Sequence, residues 1–414
     1  MSWSLIKLSE ICDLFNGYAF KSADYVDESN TLSCRMSNIR PGGKFDIQYN
    51  ARYLPDDFAK KYEQFLLKDD DVVIAMTDLA DAPKILGVPT VIKTNGNNIL
   101  LNQRVGKLVI KEKNKVYFPY LQLALNSPNV RSIYKRFAGG GLQINLGKAD
   151  LLSVEIPLPP LPEQQKIASI LDAADSLRQK DQQLIEKYTA LSQSLFLDMF
   201  GDPVSNPMGW ESKLLSSICG VGSSKRVFKN ELVSQGIPFF RGTEVGALGE
   251  GLEIKPTLYI TEEHYQQLKN DAGIPEKGDL LMPSICPDGR IHLVSDLQPF
   301  YFKDGRVLWI KVNQSNVASK YLKSLLKQVF YANYESIASG TTFKELKIVA
   351  LKKISILLPP ITLQNQFAER IQAIEAQKQQ AQASLQKSEA LFNSLLQRAF
   401  KGELTQNDSQ EDLL

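Results

Sequence analysis

The amino-acid sequence repeats itself at an offset close to 200 residues, and this duplication limits the possible folds more than any other feature. Residues 137–160 align with residues 337–360 without a gap, and both segments end in a pair of prolines. Further matches pair Trp3 with Trp210, Asp71 with Asp279, Arg104 with Arg306, and Gln164 with Gln364. A repeat of this length predicts one structural unit present twice.

Each repeat has two parts of different character. The first part, of about 155 residues, contains short apolar runs such as Val72–Ala75 and residues 307–310, separated by Gly, Pro and Asn. These runs predict strands, and amphipathic stretches at residues 120–125 and 321–330 predict helices beside them. The second part follows the two prolines and predicts one long helix, because it lacks internal Pro and Gly.

The two long helices show the apolar spacing of a coiled coil. They are predicted over residues 162–200 and 363–400, and each would be roughly 57 Å long. The interpretation favoured here is an intramolecular antiparallel pair; pairing between chains and separate docking on a partner are the alternatives. The predicted packing residues are Ile167, Ile170, Leu177, Leu184, Leu191 and Leu195 in the first helix, and Phe367, Ile371, Ile374, Leu385, Phe392 and Leu395 in the second.

The predicted fold class is therefore α+β. Two mixed α/β domains stand in tandem, each is followed by a long helix, and the two helices pair as an antiparallel coiled coil. The expected boundaries are 1–158 for the first domain, 159–201 for the first helix, 202–358 for the second domain, 359–403 for the second helix and 404–414 for a flexible tail.

Composition and residue counts argue against several other classes of protein. The chain is 43% hydrophobic and 23% charged, as in ordinary globular proteins, and no apolar run is long enough to predict a membrane span. The cysteines Cys12, Cys34, Cys219 and Cys286 form no CxxC pair, which predicts a reduced, cytoplasmic protein without a zinc site. Both histidines, His264 and His292, lie in the second half. A duplicated histidine-dependent catalytic site is therefore not expected, and no catalytic residue and no metal site are predicted.

Three segments at the junctions between domains and helices carry a resemblance to a known family. They are IPLPPLPEQQKIASILDAAD at residues 156–175, LFLDMFGDPVSNPMGWE at residues 195–211 and ILLPPITLQNQFAERI at residues 356–371. With the order of parts, they make the sequence similar to specificity subunits of type I restriction–modification systems. The resemblance covers nearly the whole chain in its order of parts, whereas the two domains match the family only in their position between the helices.

The resemblance implies a non-catalytic subunit that reads a bipartite double-stranded DNA target, one half-site per domain. It also implies two modification subunits, which methylate adenine with S-adenosylmethionine, and restriction subunits, which use ATP and Mg²⁺. No cofactor is expected in this chain and no membrane partner. The alternatives are a protein-binding scaffold without DNA specificity and, less favoured, an independent enzyme such as a nuclease.

The residues expected to contact DNA are basic or amide-bearing side chains in loops, since Lys and Arg bind phosphate and Arg, Asn and Gln read base edges. In the first half they are Lys21, Arg35, Asn38, Arg40, Lys44, Thr77, Lys84, Gln143 and Asn145. In the second half they are Lys225, Arg226, Lys229, Arg241, Thr243, Arg290, Thr342 and Lys344. A solvated surface charge is the alternative for any one of them, and Arg104 and Arg306 fit a structural role equally well.

The charge pattern separates the domains from the helices. Residues 1–160 and 201–360 each carry a net charge of +3, whereas residues 161–200 and 361–414 each carry −2. The helices are therefore expected to face protein rather than DNA. Two polar residues within them, Asp181 and Lys378, are predicted to fix the register of the pair.

Overall fold

The computed structural model describes residues 3–80, 83–112, 114–137, 142–285, 289–295, 298–338 and 344–404. The chain divides into two compact units. Unit 1 comprises Met1–Gln179 and Gln386–Leu414, and unit 2 comprises Lys180–Leu385. The division falls within both long helices, so each unit contains one mixed domain and a part of each helix.

Unit 1 contains the first mixed domain. Its strands are β1 Leu5–Lys7, β2 Cys12–Asn16, β3 Thr31–Cys34, β4 Tyr53–Leu54, β5 Leu66–Leu67, β6 Val72–Ala75, β7 Thr77–Leu79, β8 Pro89–Val91, β9 Asn98–Leu101, β10 Val105–Ile110, β11 Gln143–Asn145 and β12 Glu155–Pro157. Its helices are α1 Leu8–Ile11, α2 Phe58–Lys61, α3 Phe118–Leu125, α4 Pro128–Lys135 and α5 Lys148–Leu152, and α6 Leu161–Phe200 begins here and continues into unit 2.

Unit 2 contains the second mixed domain. Its strands are β13 Glu211–Leu214, β14 Cys219–Gly222, β15 Ile237–Phe240, β16 Tyr259–Ile260, β17 Leu280–Pro283, β18 His292–Leu293, β19 Tyr301–Phe302, β20 Val307–Val312 and β21 Ser355–Leu358. Its helices are α7 Leu215–Ile218, α8 Gly242–Gly249, α9 Glu262–Ala272, α10 Ser319–Ile337 and α11 Ile348–Lys352, and α12 Ile361–Lys401 begins here and ends in unit 1.

The two domains share one sheet topology. An antiparallel sheet has the order β2-β10-β6-β8 in unit 1 and β14-β20-β17-β18 in unit 2. A second sheet contains a parallel pair, β3 with β9 in unit 1 and β15 with β19 in unit 2. The first strand of each domain pairs with the last, as β1 with β12 and β13 with β21, directly before the long helix. The predicted duplication and the predicted fold class are confirmed.

Strand β6 shows why the central sheets are apolar on both faces. All four of its residues are buried. Val72 and Ile74 belong to one hydrophobic cluster, whereas Val73 and Ala75 belong to another. Because alternate side chains of a strand point to opposite faces, a strand between two cores must be a continuous apolar run.

The two long helices pack together in each unit. In unit 1, Ile167 and Leu171 near the start of α6 share a core with Leu396 and Ala399 near the end of α12. In unit 2, Phe200 at the end of α6 contacts Phe367 near the start of α12, with ring centroids 5.3 Å apart. The start of each helix meets the end of the other, so the predicted antiparallel pairing is confirmed.

The packing face of α6 differs from the predicted one. The predicted residues Leu177, Leu184 and Leu191 are 44%, 41% and 50% exposed, so their assignment to the helix–helix contact is wrong. The buried and half-buried positions follow a line one residue away: Leu171, Ala174, Arg178, Asp181, Ile185, Tyr188 and Ser192. This line contains polar residues, which an apolar pattern does not select.

The other predicted packing residues are at least partly covered. Ile167, Phe367 and Ile371 are buried, whereas Ile170, Leu195, Ile374, Leu385, Phe392 and Leu395 are half-buried. Asp181, on the packing line of α6, is buried, and Lys378 of α12 is half-buried; their role in register stays a prediction.

Candidate nucleic-acid interface

In unit 1, several chain segments meet where strands β3, β9 and β6 end. Arg35 follows β3, Arg104 lies between β9 and β10, and Thr77 begins β7 directly after β6. Strand β11 supplies Gln143 and Asn145. The backbone hydrogen bonds that join these segments run from Asn102 N to Cys34 O at 3.1 Å, from Met76 N to Arg104 O at 3.0 Å and from Leu146 N to Met76 O at 2.8 Å.

We call the group Arg35, Thr77, Arg104, Gln143 and Asn145 the strand-end edge of unit 1. Arg104 and Asn145 are exposed, and Arg35 and Gln143 are half-buried. None of the described carboxylates forms a salt bridge with Arg35 or Arg104. The edge therefore presents unneutralised guanidinium groups and amides, the side chains that bind phosphate and read base edges.

Unit 2 builds the same edge with different side chains. The equivalent backbone hydrogen bonds run from Lys303 N to Phe240 O at 2.9 Å, from Ser284 N to Arg306 O at 3.0 Å and from Leu346 N to Ser284 O at 2.7 Å. We call Arg241, Ser284, Arg306, Lys344 and Glu345 the strand-end edge of unit 2; of these, Arg241, Arg306 and Glu345 stand at the positions of Arg35, Arg104 and Asn145.

Carboxylates hold the arginines of this second edge. Arg306 Nη1 lies 3.2 Å from Glu345 Oε1, which also accepts a hydrogen bond of 3.0 Å from the Ser284 hydroxyl. Arg241 pairs with Glu244. Burial by itself would raise the pKa of Glu244, but hydrogen bonds from Arg241 and Thr243 lower that pKa to about 2. Both arginines are thus fixed in orientation and partly neutralised.

Two residues predicted to contact DNA have structural roles instead. Asn38 is 1% exposed, and its amide nitrogen donates to the carbonyl groups of Asp46, Ile47 and Tyr49 at 3.0–3.2 Å. Thr77 is 3% exposed, and its hydroxyl donates to Asn145 Oδ1 at 2.8 Å. The predictions for both are wrong, since Asn38 shapes its loop and Thr77 orients Asn145.

The remaining predicted residues of unit 1 are accessible. Lys21, Lys44 and Lys84 are exposed, and Arg40 is half-buried with its guanidinium 3.6 Å from the centre of the Tyr49 ring. The structure shows no contact between these four residues and the strand-end edge.

The remaining predicted residues of unit 2 are mostly engaged by other side chains. Lys225 pairs with Asp271 and Arg226 with Asp304, Thr243 donates to Glu244, and Lys229 is exposed. Arg290 and Lys344 are half-buried, and the Arg290 guanidinium lies beside Gly246 of α8. Thr342 lies outside the described residues. Sequence reasoning missed Glu345, although the offset of 200 places it opposite Asn145.

A buried glutamine joins each domain to the helix that follows it. Gln164 is 0% exposed; its amide oxygen accepts from Tyr117 N at 2.8 Å, and its nitrogen donates to Lys115 O at 2.9 Å and Pro159 O at 2.7 Å. Gln364 repeats this with Ala318 N at 2.9 Å and Pro359 O at 2.8 Å. These bonds fix the direction in which each helix leaves its domain.

A tyrosine anchors the same junction to the other helix. The Tyr120 hydroxyl donates to Pro157 O at 2.7 Å, and the ring packs on Phe400 at 5.8 Å. The Tyr321 hydroxyl donates to Leu357 O at 3.0 Å, and the ring packs on Phe200 at 4.6 Å. Each domain is therefore attached to the start of one helix and the end of the other.

No group of three or more His, Cys, Asp or Glu side chains that could hold a metal ion occurs among the described residues. In the same part of the chain, no helix combines the length and the apolar character needed to cross a bilayer.

Sequence comparison finds the same duplication. The family described as "Type I restriction modification DNA specificity domain" matches residues 2–187 and again residues 207–387. A type I restriction enzyme specificity subunit of Haemophilus influenzae is 29% identical over 64% of this chain and 66% of its own length. The MjaVIII specificity subunit of Methanocaldococcus jannaschii is 30% identical over 47% of this chain and 45% of its own length.

These two relatives are matched over less than two thirds of their own lengths. The StySPI specificity subunit of Salmonella potsdam is matched more fully, at 21% identity over 97% of this chain and 89% of its length. Among solved structures, the S subunit of a type I restriction-modification system from M. genitalium has a TM-score of 0.58 at 16% identity, covering 97% of this chain and 96% of that one. This last likeness concerns the fold alone.

Proposed function

Because this chain belongs to the family of type I restriction modification DNA specificity domains, which it contains twice, we propose that it is the specificity subunit of a type I restriction–modification complex. Each domain reads one half of a split DNA target. The paired helices α6 and α12 set the distance between the halves.

The duplicated strand-end edge carries this proposal. The same backbone hydrogen bonds bring Arg35 and Arg104 together in unit 1 and Arg241 and Arg306 together in unit 2. The frame is kept, while Asn145 in one edge is replaced by Glu345 in the other. A shared frame with exchanged polar side chains is what two readers of different half-sites require, since base identity is read by the pattern of donors and acceptors.

The chemistry of the two edges differs accordingly. In unit 1, Asn145 and Gln143 offer amides of the kind that pair with adenine, beside the unneutralised Arg104. In unit 2, Glu345 holds the guanidinium of Arg306 in one orientation, which prepares it for a directed contact such as that of arginine with guanine. Catalysis is left to other subunits.

The partners belong to the same proposal. Two modification subunits, which use S-adenosylmethionine, bind this chain, and restriction subunits, which use ATP and Mg²⁺, join the complex. The near-repetition of the junction around Gln164 and Gln364 supports two equivalent docking positions for the modification subunits. The complex acts in the cytoplasm, where the host DNA lies.

The proposal is tested by co-expression with the modification subunit encoded beside this chain, followed by mapping of methylated adenines in host DNA. The expected result is one split motif, methylated once on each strand. A stable complex that methylates no new sequence would overturn the proposal and would favour a scaffold without DNA specificity. Purified chain that cuts DNA with Mg²⁺ alone would overturn the non-catalytic role.

A further inference from the structure

A groove of about 810 Å³ lies within unit 2, between the second domain and the two long helices. Helix α10 lines one side with Lys320, Lys323 and Lys327, and helix α12 lines the other with Lys378. The lysines of α10 recur at intervals of three and four residues, so they share one face of that helix. All four side chains are half-buried.

Some of this charge is already balanced within the groove. Lys323 lies 3.5 Å from Glu375, and the Lys320 ammonium donates to Gln372 Oε1 at 2.6 Å. Two further carboxylates, Glu250 and Glu253, lie on the exposed loop after α8. Burial lowers the pKa of Lys320 and of Lys378, although Glu375 raises both pKa values. A bound anion would relieve this cost of desolvation.

The described residues of unit 1 do not repeat the lysines of this groove. The tyrosine hydrogen bonds align Tyr120 with Tyr321, so Lys320, Lys323 and Lys327 correspond to Pro119, Gln122 and Asn126. Lys378 corresponds to Arg178, which pairs with Asp175 and lies 4.8 Å from the centre of the Phe392 ring. The three lysines of α10 are therefore specific to the second half of the chain.

The groove also contains polar side chains that suit a sugar–phosphate backbone. They are amides and hydroxyls from three helices: Gln372, Gln379 and Gln382 of α12, Ser324 of α10, and Thr189 and Ser192 of α6. Amides, hydroxyls and lysine are the usual partners of DNA phosphates. Apolar side chains complete the lining, among them the buried Phe196 and Ile371.

The pairing of cations within the second domain also favours a phosphate contact away from its strand-end edge. Four of its cations, Lys225, Arg226, Arg241 and Arg306, are paired with carboxylates. In the first domain, Lys21, Arg35 and Arg104 form no salt bridge with a described carboxylate. The two arginines of the second edge are thus more fully neutralised than those of the first.

We propose that the groove of Lys320, Lys323, Lys327 and Lys378 holds the DNA sugar–phosphate backbone next to the half-site of the second domain. This proposal rests on the proposed function. It assigns a sequence-independent contact to one half of the chain only.

The test uses the complex with the modification subunits and an oligonucleotide bearing the mapped target. The variant Lys320→Gln/Lys378→Gln removes two cations while keeping side-chain length. Each phosphate contact contributes about 0.9 to the slope of log K against log salt, so the slope should shrink by about 1.8. Ethylation of phosphates flanking the second half-site should interfere with wild-type binding and not with variant binding.

Two further variants act as controls. Lys187→Gln/Lys387→Gln removes the same charge from exposed helix positions outside the groove, and should keep the wild-type slope. Lys320→Arg/Lys378→Arg should restore the slope if charge is what matters. An unchanged slope in the Gln variant would overturn the inference, as would loss of the modification subunits from that variant, which would identify a protein interface. Absence of sequence-specific binding in the wild-type complex would instead overturn the proposed function.

Discussion

At the residue scale, the buried glutamines Gln164 and Gln364 do more than fill space. Each satisfies backbone groups on both sides of a junction between domain and helix, at distances of 2.7–2.9 Å. A buried polar group that loses its partner costs the full desolvation of that group. The junction is therefore stiff, because its buried donors and acceptors have no water molecule to bind if they separate from the glutamine.

We expect Gln164→Leu to lower the free energy of unfolding of unit 1 by about 2–4 kcal/mol, since Tyr117 N and two carbonyl groups lose their partner. The neighbouring Gln165 is exposed, so Gln165→Leu should stay within about 0.5 kcal/mol of wild type. Denaturant unfolding followed by fluorescence measures both. Equal effects of the two substitutions would show that the junction does not depend on the buried amide.

His292 makes unit 2 sensitive to acid. Burial, and to a lesser extent Lys323, lowers its pKa from 6.5 to about 4. Between these pH values the unfolded chain binds a proton that the folded chain resists, so the free energy of unfolding falls as the pH falls from 6.5 to 4. At about 1.4 kcal/mol per pKa unit, the loss is roughly 3 kcal/mol.

The substitution His292→Gln should remove this part of the pH dependence, because glutamine does not titrate. Unfolding curves at pH 7, 5.5 and 4.5 give the comparison. His264→Gln, on α9, changes the only other histidine and should leave the wild-type profile. A His292→Gln profile as steep as that of wild type would assign the acid sensitivity to other groups.

At the element scale, the sequence predicted which segments form elements better than it predicted their faces. The long helices, the strands at residues 72–75 and 307–310 and the duplication all follow from apolar pattern and from the prolines, which act locally. The packing line of α6 does not follow from the apolar pattern. Arg178 lies on it because its guanidinium stacks on Phe392, and that contact involves a residue far away in the sequence.

The contacts of the predicted DNA-binding residues are equally hard to predict from the sequence. Asn38 has the residue type of a base reader, yet its amide is consumed by three carbonyl groups of its own loop. Conversely, the residue type of Glu345 does not predict a place at this edge, because DNA phosphates are usually bound by Lys, Arg and neutral polar side chains. Residue type predicts the chemistry available at a position, whereas exposure and partner depend on the tertiary fold.

Two adjacent residues of α6 test the packing line. Leu184 is 41% exposed, so Leu184→Gln should change the free energy of unfolding by less than about 0.5 kcal/mol. Ile185 lies on the half-buried line, so Ile185→Gln should cost about 1–2 kcal/mol through loss of apolar burial. The apolar pattern alone predicts the reverse order, and unfolding measurements on the two variants decide between them.

At the scale of the whole molecule, the helix pair acts as a spacer only if its length and rotation both match DNA. One added heptad lengthens a helix by about 10 Å and shifts its face by about 20°. Ten ångströms correspond to about three base pairs, which turn the DNA by roughly a quarter of its helical repeat. The added length of the helix then matches the added length of DNA, but the rotation of the helix face does not match the rotation of the DNA.

Three added heptads should bring the DNA close to its starting phase, because about 31 Å approaches the 34–36 Å of one DNA turn, while the helix face shifts by about 60°. We expect insertion of three heptads after Gln179 in α6 and after Leu385 in α12 to yield methylation of the same half-sites across a gap longer by about nine or ten base pairs. One heptad in each helix should methylate poorly at any gap, and three heptads in α6 alone should abolish methylation, since the helices could no longer pair along their length. Mapping of methylated adenines measures all three. Unchanged gap length with altered half-sites would mean that the helices do not set the spacing and that the domains reach the DNA independently of them.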